Sequence, residues 1–139
     1  MQAKKFGPKY LIRIDRGEEI VETLKKFCEE NQIKLGTITG LGATNDAEIG
    51  LYDVKIKKYY EKIMKGNFEI APLYGNISTM KGEIYLHLHA NLGDESQHSF
   101  SGHLTKAIVS ATFEGVIEII DGEVDREKDS ETGLNLLKF

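Results

Sequence analysis

From Glu83 to Leu92 apolar and polar residues alternate without a break. Ile84, Leu86, Leu88, Ala90 and Leu92 are apolar, and Glu83, Tyr85, His87, His89 and Asn91 stand between them. An extended strand sorts that pattern into one buried and one open face, so the run predicts a β-strand that sends His87 and His89 out of the same side. Further strand patterns occupy residues 10–14, 35–42, 47–52, 55–61, 68–73, 75–80 and 107–120, with breaks at Gly, Asn and Asp. One segment differs. Ile20, Val21, Leu24, Phe27 and Cys28 recur at helical spacing opposite Glu22, Lys25, Lys26 and Glu29. They predict an amphipathic helix over residues 17–31, with Asp15 and Glu18 as a capping-box-like start. One helix against many strands indicates an α+β fold with a mainly antiparallel sheet, curled or barrel-like. A chain of 139 residues fits one domain, large enough to bury about two-thirds of its unfolded surface.

The chemistry concentrates on the histidines. Residues i and i+2 of a strand stand roughly 6.6 Å apart, so two rings can lean together and each place a nitrogen about 2.0–2.1 Å from a shared Zn²⁺. His103, in Ser101-Gly102-His103-Leu104, offers a third nitrogen. Three protein ligands leave one position of a four-coordinate ion for water or substrate, the arrangement of catalytic zinc. The alternative is plainer: His87 and His89 form the polar face of a half-buried sheet and His103 lies in a loop. Spacing alone does not decide between them. The fourth histidine, His98, reads as a solvated loop residue.

A formal net charge of −4 and a pI near 5.6 give no general attraction to phosphate backbones. The densest basic cluster, Lys55, Lys57, Lys58, Lys62 and Lys65 with Tyr52, Tyr59 and Tyr60 between, reads as lysines guarding an edge hairpin. No run approaches the roughly 18 apolar residues of a membrane span. A lone cysteine excludes an intrachain disulfide, and no signal-type apolar run opens the chain, so a cytoplasmic location is expected. Cys28 itself belongs to the apolar stripe of the helix, as a small buried hydrophobe. The segment Thr39-Gly40-Leu41-Gly42-Ala43-Thr44 lacks the third glycine and helix of a dinucleotide loop and the Lys-Ser/Thr of a P-loop, leaving a kinked strand or bulge. Residues 123–132 are acidic, and the apolar 133–137 that follow are expected to dock on the body or on a neighbouring subunit. Arg126, within the acidic stretch, reads as half of a surface ion pair rather than as an anion-neutralising group.

In order and spacing, Gly40-Leu41-Gly42-Ala43, Gly66-Asn67-Phe68-Glu69-Ile70, Leu73-Tyr74-Gly75-Asn76-Ile77-Ser78, His87-Leu88-His89, Gly102-His103-Leu104 and Asp129-Ser130-Glu131-Thr132-Gly133-Leu134 resemble the PPC domain, conserved between plants and prokaryotes. The likeness runs from about residue 10 to 137. It implies a mainly antiparallel sheet packed beside the helix, a homotrimer, and in prokaryotic members a metal held by three histidines, here His87, His89 and His103. Prokaryotic members are commonly described as DNA-binding. The plant relatives' AT-hook core, Arg-Gly-Arg-Pro, is absent, and the family's Gly-Arg-Phe-Glu-Ile-Leu motif is matched at Gly66, Phe68, Glu69 and Ile70, with Asn67 and Ala71 departing from it. Ser101 stands where many relatives have Gly. The fold is also similar to that of acetolactate decarboxylase, whose zinc sits on a His-x-His pair and a later His.

Two functions follow. One is a non-enzymatic trimeric module with a DNA-associated or transcription-associated regulatory role. The other is a zinc-dependent lyase or hydrolase acting on a small carbonyl substrate, with Glu69 as the candidate proton-moving carboxylate and Asn76 and Asn91 orienting the substrate.

Overall fold

The computed structural model describes all residues, Met1–Phe139. In chain order the elements are β1 (Gln2–Phe6), β2 (Lys9–Asp15), α1 (Ile20–Glu30), β3 (Gly36–Asp53), β4 (Lys58–Met80), β5 (Glu83–Gly93), β6 (Ser99–Ile119), β7 (Arg126–Lys128) and β8 (Asn135–Leu137). The first six strands form one antiparallel sheet in the order β1-β2-β6-β3-β4-β5. β5 also pairs with the start of β6, so β3, β4, β5 and β6 close into a cycle. The expected α+β class and curled sheet are both present.

The helix is shorter than its periodicity predicts. Glu18 does accept the Asp15 N–H at 2.7 Å, but that contact closes the turn after β2. Glu19 is the N-cap instead, its carboxylate accepting the N–H groups of Val21 and Glu22 and also, at 2.8 Å, that of Ala107 on β6. The cap thus ties the helix to the sheet. At the other end Gln32 takes a left-handed φ of 55°, its N–H donates to Glu29 O, and the Ile33 N–H donates to Cys28 O. That pair of bonds is a Schellman closure, and it brings buried Ile33 against buried Cys28. Ile20, Leu24 and Cys28 form the buried stripe. Burial pushes the Cys28 thiol up to about 12, which keeps it an inert hydrophobe.

Strands expected as separate pieces are continuous. Residues 36–42 and 47–52 belong to β3, and residues 58–61, 68–73 and 75–80 to β4, while the turn at 54–57 replaces the start expected for a strand at 55–61. Register shifts at Gly40/Gly42, Thr44/Asp46 and Ile70/Leu73 interrupt the alternation without ending the ladders. The glycines of the first interruption have a packing reason: a Cβ on Gly40 would strike the Phe113 ring, and one on Gly42 would strike the β6 backbone at Thr112 and Phe113. Phe113 is fully buried at the centre of the core, among Ile14, Leu24, Ile38, Ile77, Leu88 and Ile117. Glycine on β3 makes room for it.

The acidic-then-apolar tail folds back on the body as the hairpin β7–β8. Asp129 organises its turn by accepting the backbone N–H and the hydroxyl of Thr132, both at 2.7 Å, and Gly133 takes the left-handed φ of 79° that the turn requires.

Adding one methyl group at Gly40 is expected to cost about 1–3 kcal/mol, because the Phe113 ring and a β6 carbonyl leave it no space. Urea denaturation of Gly40→Ala reads this directly, and the double variant Gly40→Ala/Phe113→Leu should recover part of the loss. An unchanged midpoint in the single variant contradicts the packing account.

Candidate metal centre

The cross-strand ladder builds the site. Leu88 and Ala90 of β5 turn into the core, so His87 and His89 stand on the opposite face. His89 is the direct partner of His103 on β6, and His87 is the partner of Asn76 on β4. His103 therefore lies on a strand rather than in a loop. Its other neighbour is Gly50 of β3, and a Cβ on Gly102 would sit 2.6 Å from Gly50 O. Gly102 lets β6 close against β3 one residue before the histidine.

The three rings face one another, with centroids 5.1, 5.3 and 5.6 Å apart. One nitrogen from each lies within 4.8 Å of the others, and the Nε2 atoms of His87 and His89 are 3.2 Å apart. A tetrahedral ion with bonds of about 2.0–2.1 Å spaces its ligand nitrogens by about 3.3–3.4 Å. The His87–His89 pair is close to that spacing. Burial first, then the neighbouring His103 and His89 rings and the Arg126 charge, hold His87 at about 4 instead of 6.5. Burial and His89 likewise lower His103. Both imidazoles are therefore neutral at pH 7, with lone pairs free to bind a metal. Donor type, convergence and protonation state all fit a transition ion.

The histidines open into a cavity of about 1070 Å³, walled by Tyr52, Tyr74, Tyr85 and, from the C-terminal hairpin, Leu134, Leu136 and Leu137. The histidines aside, the only charged side chain on its wall is Arg126. The structure corrects the surface role expected for this residue. Arg126 is 6% exposed. Its guanidinium donates to Ser78 Oγ, Asn76 Oδ1 and the Asn135 carbonyl, each at 2.7 Å, and lies 4.7 Å from the centre of the Tyr85 ring. No ion pair of the protein includes it. Its flanking Asp125 and Glu127 point in sequence to an exposed pair, and nothing local records that the tail carries it inward.

The other candidates scatter. Asn76 and Asn91 both line the cavity, but Asn76 accepts from Arg126, and Asn91 donates to Ala71 O at 3.1 Å and accepts from Ser99. Glu69 is exposed and pairs with Gly93, four residues beyond His89, which is about 13 Å along the strand. It does not line the cavity, and neither does any other carboxylate side chain. His98 is exposed in the 94–98 turn, its ring 3.3 Å from Asp94, outside the cluster.

A curled antiparallel sheet with three convergent imidazoles beside a cavity defines the class, an α+β domain with a candidate metal centre. The chain belongs to the Plants and Prokaryotes Conserved (PCC) domain family, whose model it matches over residues 1–121. It is similar to a crystal structure from Bacteroides thetaiotaomicron described as "a putative dna binding protein", at 36% identity and a TM-score of 0.97, over 99% of this chain and 96% of that one. A metal-containing protein from Archaeoglobus fulgidus is 32% identical with a TM-score of 0.88, over 97% and 96% of the two chains. A plant- and prokaryote-conserved protein from Pyrococcus horikoshii is 30% identical with a TM-score of 0.86, over 99% and 94%. No match was found among curated protein sequences.

The depressed His87 value makes stability pH-dependent. Between 6.5 and about 4 the unfolded chain carries the proton on this ring and the folded one does not. Metal-free protein is therefore expected to lose stability as pH falls through that window. In urea titrations His87→Gln should lose less than wild type over the same range. Equal losses contradict the assignment.

Proposed function

We propose that this PCC-domain protein holds one divalent ion, zinc, on His87, His89 and His103 and presents the ion's remaining position to the cavity beneath the C-terminal hairpin. The observation that carries this is the convergence of three imidazole nitrogens within 4.8 Å on a face that also walls a cavity. Three nitrogen donors in a tetrahedral setting favour zinc among abundant ions, and imidazole also takes Cu, Ni and Fe. The metal-containing description of the Archaeoglobus relative supports the same reading.

The assembly that goes with it is a homotrimer. Exposed Leu51, Tyr60, Tyr74, Leu136, Leu137 and Phe139 leave apolar surface in and around the cavity that a second copy would cover. No helix is long and apolar enough to cross a membrane, and one buried, unpaired cysteine suits the reducing cytoplasm. The DNA-binding description attached to the Bacteroides relative supports a DNA-associated regulatory role, for which this acidic chain has a local basic surface, the β3–β4 hairpin with Lys55, Lys57, Lys58, Lys62 and Lys65.

A second reading, a zinc-dependent lyase or hydrolase for a small carbonyl compound, is favoured by the cavity at the open coordination position. A bound ion there would polarise a carbonyl or acidify a water. The chain's own contribution would be binding and orientation, since the cavity wall has no carboxylate side chain and offers phenols, from Tyr52, Tyr59, Tyr74 and Tyr85, as proton-bearing groups. Glu69 would need a conformational change, or placement by another copy, to take part.

Elemental analysis of protein purified without a polyhistidine tag is expected to give about one zinc per chain. His87→Ala, His89→Ala and His103→Ala should each reduce it severely, and equal metal in wild type and variants ends the proposal. A gel shift at rising salt addresses the DNA role. Binding that weakens steeply with salt and fails on neutralising the hairpin lysines is expected, and no shift at low salt removes it.

A further inference from the structure

A guanidinium stays charged in any protein environment, and burying it without a counter-charge is costly. Arg126 is in that condition: 6% exposed, on the wall of the cavity, with three neutral hydrogen-bond acceptors and no carboxylate partner. Desolvation by burial is the first cause lowering its pKa, the Tyr85 phenol opposes it, and no carboxylate is among the causes. Of its five N–H donors three are used, which leaves one on each terminal nitrogen. Two free donors match one planar carboxylate.

The ladder fixes where such a ligand would lie. Arg126 packs over Tyr85 and bonds Ser78 and Asn76, and in the β4–β5 register Ser78 faces Tyr85 while Asn76 faces His87. The guanidinium thus sits one residue pair along the sheet face from the imidazole cluster. Same-face neighbours on a strand are about 6.6 Å apart, the span of a carboxylate and an oxygen on its adjacent carbon once each touches its own partner. Beyond these two points the wall includes an apolar part formed by Tyr74, Leu134, Leu136 and Leu137. No other cation lines the cavity to serve a phosphate dianion.

We propose that the cavity is a binding site for a small monocarboxylate bearing an oxygen on its second carbon and an apolar tail, with the carboxylate on Arg126 and the second oxygen facing His87, His89 and His103. This rests on the metal reading for the second oxygen alone, because the Arg126 contact needs no ion.

Isothermal titration of the zinc-loaded, tag-free protein with 2-oxo-4-methylpentanoate tests it. The acid is expected to bind at least about tenfold more tightly than its methyl ester, the worth of a charge-assisted hydrogen bond. Arg126→Gln should abolish that preference while zinc content stays at the wild-type value. Should the variant not fold, the comparison of acid and ester on metal-free wild type still decides, because no ion is then present to prefer the carboxylate. With metal-free wild type, a weaker but still acid-selective interaction is expected. Protein that takes up no zinc yet prefers the acid defeats the metal reading and leaves this one standing. Equal binding of acid and ester, absence of binding by both at millimolar concentration, or an undiminished preference in Arg126→Gln overturns the carboxylate site.

Discussion

Everything near the histidines depends on the registration of β5 between β4 and β6. A strand's faces alternate residue by residue, so a slip of one position would put Leu88 and Ala90 outside and the imidazoles in the core. Leu88, Ala90 and Leu92 are all buried, and their burial is what prevents the slip. Gly75 and Gly102 let the neighbouring backbones approach: a Cβ on Gly75 would lie 2.9 Å from Leu88 Cα, and one on Gly102 2.6 Å from Gly50 O. The same ladder therefore delivers the hydrophobic core on one side and three ring nitrogens on the other.

The other face is expensive for the fold. It gathers three imidazoles, two of them partly buried, that have one another for company, and a guanidinium held by neutral acceptors. Each polar group of this kind is desolvated without full compensation. Functional sites are where such local conflicts concentrate, because a ligand relieves them. The C-terminal hairpin adds to the arrangement by carrying Arg126 inward and setting Leu134, Leu136 and Leu137 over the cavity. Its anchoring bonds, from Arg126 to β4 and from the Thr79 N–H of β4 to Val124 O, are polar rather than apolar.

Much of this was legible in residue order. The alternation at Glu83–Leu92 marks β5 and the shared face of His87 and His89, and the helical stripe from Ile20 to Cys28 marks α1. Strand lengths were not legible, because the register shifts on β3 and β4 break a period-2 pattern while the hydrogen bonds continue. β1 escaped notice since all five of its residues are exposed and no apolar face announces it. The helix start was misplaced because Glu18 makes the contact expected of a capping box while Glu19 does the capping. Arg126 escaped for a related reason: local charges predict an exposed pair, and only the tertiary path of the tail buries it.

The central claim is that three imidazoles converge on one ion with a coordination position left open. X-ray absorption at the zinc edge of tag-free protein measures this most directly. The expected shell is three histidine nitrogens at about 2.0–2.1 Å and one exchangeable oxygen. A shell with fewer than three imidazoles, or one made of oxygen alone, would contradict the account.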